Sequence, residues 1–334
     1  MTKTGAGFVC PACRSPVEGE GAAYACGSCN RAYPVLFGIP DFRLRGDLYL
    51  SLEEEREKAA KLHEFGKAHD LKALVAYYYS ITDDVPAHLE PRFADYVLNA
   101  PRRSMPGLRA LAPTGGRSLL DLGCGSGGAL VAAEAMFGER VGVDIALRWL
   151  VVARKRLDET GARAILVCAD AEALPFAGET FSHVLASDLI ENTRSPAATV
   201  KSAAAVLERG GRLYLSASNR RWVGPHPATG IWAAGLLPAP VRSSILRRRH
   251  GIDILRAVSL VSPGSIRRMG REAGLRQVEM GPLQPELGQL TGRSALFRFF
   301  ARGYSVLAKA AILRAALLHA GPVFQSIFLK ERST

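Results

Sequence analysis

Three acids stand at the ends of segments that read as successive strands: Asp121, Asp144 and Asp170. Asp121 precedes three alternating glycines, Gly123, Gly125 and Gly127, in the run Leu119-Leu120-Asp121-Leu122-Gly123-Cys124-Gly125-Ser126-Gly127-Gly128. Glycines at this spacing let the backbone take φ > 0 and approach a ligand where a Cβ would clash. A carboxylate this close to the turn repels a pyrophosphate and attracts a cationic sulfonium or amino group. The G-x-G-x-G spacing also departs from the G-x-G-x-x-G dinucleotide fingerprint. Asp144 closes Arg140-Val141-Gly142-Val143-Asp144 and suits both hydroxyls of a ribose. Asp170, in Val167-Cys168-Ala169-Asp170-Ala171-Glu172-Ala173-Leu174-Pro175-Phe176, suits the exocyclic amine of an adenine.

Elements of a definite kind must carry these acids. The apolar run before the glycines and the helix formers from Ala129 onward predict strand, tight turn and helix, a nucleotide site in a doubly wound α/β sheet. Residues 262–274 read as a capped helix that ends in a glycine.

Together these motifs, over about residues 117–218, resemble the class I S-adenosylmethionine-dependent methyltransferases. The matching residues are Asp121-x-Gly-x-Gly-x-Gly, Asp144 at the end of the second strand, and Asp-x-x-x-Leu-Pro-Phe at 170–176. The resemblance continues through Phe181 to Ser187 as the fourth strand and Val206 to Ser216 as a helix end, a turn and the fifth strand. The resemblance implies an α/β fold, a seven-stranded Rossmann-like sheet with helices on both faces. Its last two strands are expected at Leu275 to Met280 and Val323 to Lys330 as a reversed hairpin. It further implies that Asp121, Gly123, Gly125 and Gly127 seat the methionine end of S-adenosylmethionine and that Asp144 holds the ribose. Asp170 with Ala171 would meet the adenine, and Ser187 would reach the cofactor from the fourth strand.

Cys10-Pro11-Ala12-Cys13 and Cys26-Gly27-Ser28-Cys29 make two C-x2-C pairs across a twelve-residue spacer. Each pair can point two thiolates at one ion, and four cysteines leave no open position, so Cys10, Cys13, Cys26 and Cys29 are read as ligands of a structural zinc. Disulfides are the alternative. A module of about 40 residues has too little core to fold without such a staple. The following Tyr33-Pro34-Val35-Leu36-Phe37-Gly38-Ile39-Pro40-Asp41-Phe42 resembles the end of small zinc-ribbon proteins, among them an activating subunit of tRNA and protein methyltransferases. Bacterial rRNA guanine-N1 methyltransferases also carry a fused ribbon but keep a histidine where this chain has Cys29. The expected domains are a ribbon at 1–45, a helical linker or cap at 46–112, and a methyltransferase domain at 113–334. Insertions are placed at about 219–258, read as a lid, and 285–320.

Substrate-side residues lie outside the cofactor motifs. The charged stretch 51–75 is expected to be a solvated helical face. Residues 77–84, with Tyr77, Tyr78, Tyr79, Asp83 and Asp84, are expected to line the pocket, with at least two of the tyrosines packing on the core sheet instead. In Ser187-Asp188-Leu189-Ile190-Glu191-Asn192 the resemblance places the methyl-transfer centre, with Asn192 where the family often has a histidine. Asp188 or Glu191 can serve as base, or can cap the next helix or touch the cofactor. His226, between two prolines and near Trp222 and Trp232, is the leading candidate base, because methyl transfer to a hydroxyl benefits from proton removal during attack. Its segment resembles a Pro-His-x-x-x-Gly-x-Trp region of bacterial methyltransferases in polysaccharide and natural-product pathways. The Asn/Asp-Pro-Pro-Tyr/Phe signature of exocyclic-amine N-methyltransferases is missing.

The net charge of +12 is uneven. Residues 1–199 hold 22 Lys and Arg against 25 Asp and Glu, whereas residues 200–334 hold 21 against 6. Such a field attracts RNA, an anionic membrane face or a phosphorylated substrate. Leu296 to Ala320, with Phe297, Phe299, Phe300, Arg298, Arg302 and Arg314, is expected as an apolar helical region that could lie on a membrane or a partner. No apolar run reaches the ~20 residues of a membrane span. Met1 to Gly5 lack the apolar stretch of a secretory signal, and four of the six cysteines read as metal ligands, so a reducing, cytoplasmic setting is expected. The expected function is O-methylation of a small-molecule or glycan hydroxyl, free, lipid-linked or phosphorylated. An RNA methyltransferase and a non-catalytic scaffold are the alternatives.

Overall fold

The computed structural model describes residues 7–82, 85–226, 229–253, 255–283, 303–304 and 310–332. Four short antiparallel strands come first, in spatial order: β1 Glu18–Glu20, β2 Ala23–Ala25, β3 Ala32–Leu36 and β4 Ile39–Pro40. The two cysteine turns beside them are built alike. The N–H of Cys10 donates to Ser15 O and that of Arg14 to Cys10 O, each at 2.8 Å. Cys26 and Asn30 repeat the pattern with Arg31 O and Cys26 O at 2.9 Å. Arg14 and Asn30 both adopt positive φ, 67° and 55°, which closes each turn.

Helices α1 Leu52–Ala68, α2 Leu71–Ser80, α3 Glu90–Leu98 and α4 Ala100–Leu111 follow. The helical stretch expected at 51–75 is made of two helices, because His69 and Asp70 are extended and Asp70 caps α2 by accepting from Ala73 N. Nor is α1 wholly solvated. A capping box of Ser51 and Glu54 starts it, and Glu55 on its inner face is fully buried with Ala59 and Leu62.

The main sheet holds β5 Gly116–Leu122, β6 Phe137–Asp144, β7 Ile165–Cys168, β8 Phe181–Ser187, β9 Leu207–Ser218, β10 Leu275–Pro282 and β11 Val323–Lys330. Their order is β10-β11-β9-β8-β5-β6-β7; β11 runs antiparallel to both neighbours and the other pairs are parallel. The expected final strands therefore form the reversed hairpin. The turn expected near 208–211 is instead a bulge within β9. That strand starts directly at the end of α7 (Pro196–Val206), pairs Leu207 with Phe181, and takes up the extra residues around Gly210, whose φ is 82°.

Side-chain alternation along the strands makes two cores. Leu120, Leu122, Val184, Ala186, Leu213 and Leu215 meet α7 and α9 (Pro263–Glu272) on one face. Leu119, Leu185 and Tyr214 meet α4 and α5 (Gly128–Ala132) on the other. Helix α6 (Leu147–Thr160) packs with α1 and α2 beside β7. Chain order reverses between β5 and β8, and a crevice opens at their carboxyl ends.

The insertion after β9 carries α8 (Ala239–His250) and a small core of Ile231, Ala234, Leu246 and Leu255. Asn219 anchors it, its amide donating to Leu318 O, His319 O and Gly321 O at 3.0–3.2 Å. Of the expected helical region at 296–320, Ala311–Ala320 is α10, while Phe297, Arg298, Phe299, Phe300 and Arg302 lie outside the described residues. Among the described residues no helix is long and apolar enough to cross a membrane.

Candidate functional site

Two cavities flank the carboxyl ends of β5, β6 and β8. The larger, about 660 Å³, is lined by Asp121, Gly123, Ser187 and Asp188, and by Tyr79, Phe93, Tyr96, Trp149, Tyr214, Trp222 and Tyr304. The smaller, about 290 Å³, is lined by Asp144, Asp170, Ala171, Asp47 and Tyr49. Gly123, Gly125, Trp149 and Asp188 belong to both, so the two form one site with two ends.

The glycine turn leaves little freedom to its residues. Gly123, Gly125 and Gly127 all have positive φ, at 77°, 48° and 73°. A Cβ on Gly123 would stand 2.7 Å from Leu189 Cδ1. The turn is held by Asp144, whose Oδ2 accepts from Gly125 N and Oδ1 from Ala146 N, both at 2.8 Å.

Asp121 is buried with no hydrogen-bond partner for Oδ2 among the described residues. Burial pushes its carboxyl up to about 7, and the charge of Asp144 adds to the rise. A buried carboxylate left unpaired beside a tight glycine turn is a site for a cation, and the amino group of a methionine moiety fits it. Asp170 ends the third strand segment: Oδ1 accepts from Glu172 N at 2.9 Å, and Oδ2 from Arg45 Nε at 2.9 Å. The donor set thus fits an adenosine with a cationic tail.

Asp188 faces the large cavity from the end of β8. Its φ of 53° is costly for a residue with a Cβ, and its bonds over-determine the geometry. The Tyr96 hydroxyl donates to Oδ2 at 3.1 Å, and the Ser216 hydroxyl to Oδ1 at 3.2 Å. Glu191 turns away from both cavities. Its Oε1 accepts from Ser218 N at 2.9 Å under β9, and burial followed by the Asp188 charge pushes it up to about 7. His226 also lies off the cavity walls, buried within the insertion, where desolvation and then Arg242 depress its pKa to about 4. Of the tyrosine run, Tyr79 lines the cavity, Tyr78 stacks on Trp149 at 4.2 Å, and Tyr77 stacks on Phe65 at 4.1 Å. Asp83 and Asp84 lie outside the described residues.

Tyr96, Trp149, Ser216 and Arg45 escaped sequence reasoning. Trp149 alone had a local signal, since it follows Asp144 at the start of α6. The others meet the site across 92, 28 and 125 residues of chain.

The four cysteine sulfurs lie within 4.8 Å of one another, with Cys10–Cys29 and Cys13–Cys26 each at 3.5 Å. A tetrahedral zinc with Zn–S near ~2.3 Å needs sulfurs about 3.8 Å apart, which fits this cluster. The Tyr33 hydroxyl lies 3.0 Å from Cys10 Sγ and can donate to it as a thiolate. Cys124 and Cys168 are buried, as small apolar residues would be.

A family model described as a methyltransferase domain matches residues 120–215. A ubiquinone biosynthesis O-methyltransferase of Thiobacillus denitrificans is 32% identical over 51% of this chain and 68% of its own length. One of Cereibacter sphaeroides is 37% identical over 34% of this chain and 46% of its own. Among solved structures, an S-adenosylmethionine-dependent methyltransferase from Mesorhizobium loti is similar at 19% identity and a TM-score of 0.47, over 68% of this chain and 97% of that one.

Proposed function

The chain belongs to the class I S-adenosylmethionine-dependent methyltransferases, and from that premise we propose that it methylates a hydroxyl of a small natural product or glycan. The observation that carries the oxygen acceptor is Asp188, a carboxylate set by Tyr96 and Ser216 at the mouth between the two cavities. The O-methyltransferase names of the relatives support the same reading. Phe93, Trp149, Tyr214 and Trp222 give the large cavity a mostly apolar wall, suited to a ring-bearing or apolar acceptor body.

In this reading Asp121 holds the amino group of the cofactor, Gly123, Gly125 and Gly127 admit its methionine end, and Ser187 borders it. Asp144 takes the ribose and Asp170 with Ala171 the adenine. S-adenosylmethionine supplies an electrophilic methyl group when bound. The chain aligns the acceptor oxygen with that methyl, excludes water with its aromatic wall, and takes the acceptor proton on Asp188 Oδ2 as Tyr96 adjusts its hydrogen bond. Glu191 and His226 are left out of the step because neither lines either of these two cavities. Cys10, Cys13, Cys26 and Cys29 hold a structural zinc in a ribbon that ends near residue 45, and the helices at 46–112 form a cap.

Titration of the pure protein with S-adenosylmethionine, followed by mass spectrometry of small-molecule, glycan and RNA fractions for the gain of one methylene, tests the reading. A product in the first two fractions supports it. A product confined to RNA, with binding that collapses in salt, replaces the acceptor class.

A further inference from the structure

We propose that the N-terminal cysteine module is a working part of the cofactor site. Residues 41–49 form a strap whose last three residues, Asp47, Leu48 and Tyr49, wall the adenosine cleft, and Arg45 is a positioning residue for Asp170. The inference rests on the methyltransferase reading above.

The segment crosses the cleft as a strap tied at both ends. Phe42 N donates to Cys168 O at 2.7 Å, which lays the strap along β7 just ahead of Asp170. Arg43 forms a buried pair with Asp41 and donates to Ile145 O at 3.1 Å, next to the ribose-side Asp144. Asp47 pairs with the buried Arg148 of α6 at 2.8 Å, and Arg148 also meets Glu55. From across the cleft, Arg194 donates to Gly46 O and Asp47 O at 2.8 and 3.0 Å. Asp47, Leu48 and Tyr49 therefore line the same 290 Å³ cavity as Asp144 and Asp170.

Arg45 acts on the adenine end. Its Nε donates to Asp170 Oδ2 at 2.9 Å and its Nη2 to Glu172 Oε2 at 2.8 Å. Oδ1 is held by Glu172 N, and the guanidinium of Arg194 stands 3.9 Å from Oδ2, so Arg45 makes the shortest side-chain contact orienting the Asp170 carboxylate, which keeps a lone pair for an incoming amine. The planar guanidinium meets the two carboxylates through two different nitrogens, a fork that a lysine ammonium does not reproduce.

The strap begins inside the core that the four sulfurs hold together. The Phe42 ring packs 4.9, 5.4 and 5.0 Å from Phe8, Tyr24 and Tyr33. Arg14, in the first cysteine turn, donates to Leu174 O and Phe176 O, each at 2.6 Å, and so clamps the ribbon onto the loop that carries Asp170. Loss of the metal thus loosens the cleft wall through Phe42 and the loop through Arg14.

The test is calorimetric titration of the full chain with S-adenosylhomocysteine and with its inosyl counterpart, which lacks the amine. Wild type, Arg45→Met, Arg45→Lys and chelator-treated wild type are compared. Wild type is expected to prefer the adenosyl ligand about ten-fold. Arg45→Met weakens that ligand about five-fold and flattens the preference, with Arg45→Lys in between. Chelation weakens both ligands alike, by about five-fold or more. Wild-type protein that binds, with affinities unchanged in either Arg45→Met or the chelated chain, overturns this inference alone. Wild-type protein that binds neither ligand removes the methyltransferase reading together with it.

Discussion

The Tyr96 hydroxyl donates to Asp188 Oδ2 across 3.1 Å, tying α3 to the end of β8 at a residue that lines both cavities. Asp188→Asn should lower kcat about 100-fold while leaving S-adenosylmethionine affinity within about three-fold. Tyr96→Phe should cost about ten-fold in kcat. His226→Gln should keep kcat within about three-fold, since its ring is off the cavity wall. Steady-state kinetics on the three variants check this, and an inert His226→Gln beside a fully active Asp188→Asn would reverse the assignment.

With Asp121 in the proposed role, cofactor binding should depend on pH. Its carboxyl is raised from 3.8 to about 7 in the folded chain, so folding takes up a proton between those values. This contribution to stability is therefore lost as pH rises from about 4 to about 7 and is constant above that. A bound cation favours the carboxylate and expels the proton, so affinity for S-adenosylmethionine should climb with pH up to about 7 and then level. Calorimetry at pH 6 in two buffers of different ionisation heat should register proton release. Thermal melts should fall less between pH 5 and 7 for Asp121→Asn than for wild type.

One zinc per chain should be found by elemental analysis. Single Cys→Ser changes at Cys10, Cys13, Cys26 or Cys29 should each release it, because three thiolates leave the tetrahedral site open. Metal-free protein should melt at lower temperature, with the loss recovered on adding zinc back to the wild-type chain.

Gly128 is a packing position. A Cβ there would meet Ala100 C at 2.6 Å and Pro101 N at 2.9 Å, backbone atoms at the start of α4 that cannot swing aside. Gly128→Ala should destabilise the fold by about 2 kcal/mol. Denaturant melts read the change, and an unaltered midpoint would mean that α4 can slide.

Much of this was readable where a signal is local. Alternating glycines, strand-end acids and apolar runs marked β5 and β6, because side-chain period and turn chemistry act over a few positions, and the family resemblance those motifs carry placed β8 and β11 at their observed bounds. The paired C-x2-C turns likewise marked the four cysteines whose sulfurs the fold brings together. Gly210 and Gly211 misled, because a glycine pair suits a bulge as well as a turn, and only pairing with Phe181 decides between them. Glu55 read as solvent-facing because its partner, Arg148, lies 93 residues away. For the same reason Tyr96 went unnoticed, since it meets Asp188 across 92 residues of chain.

A structure of the chain with S-adenosylhomocysteine tests the central claim most directly. The account predicts the amino group against Asp121 Oδ2, the ribose at Asp144 and the adenine at Asp170 beneath Asp47, Leu48 and Tyr49. A nucleoside seated anywhere else, or none at saturating concentration, would contradict it.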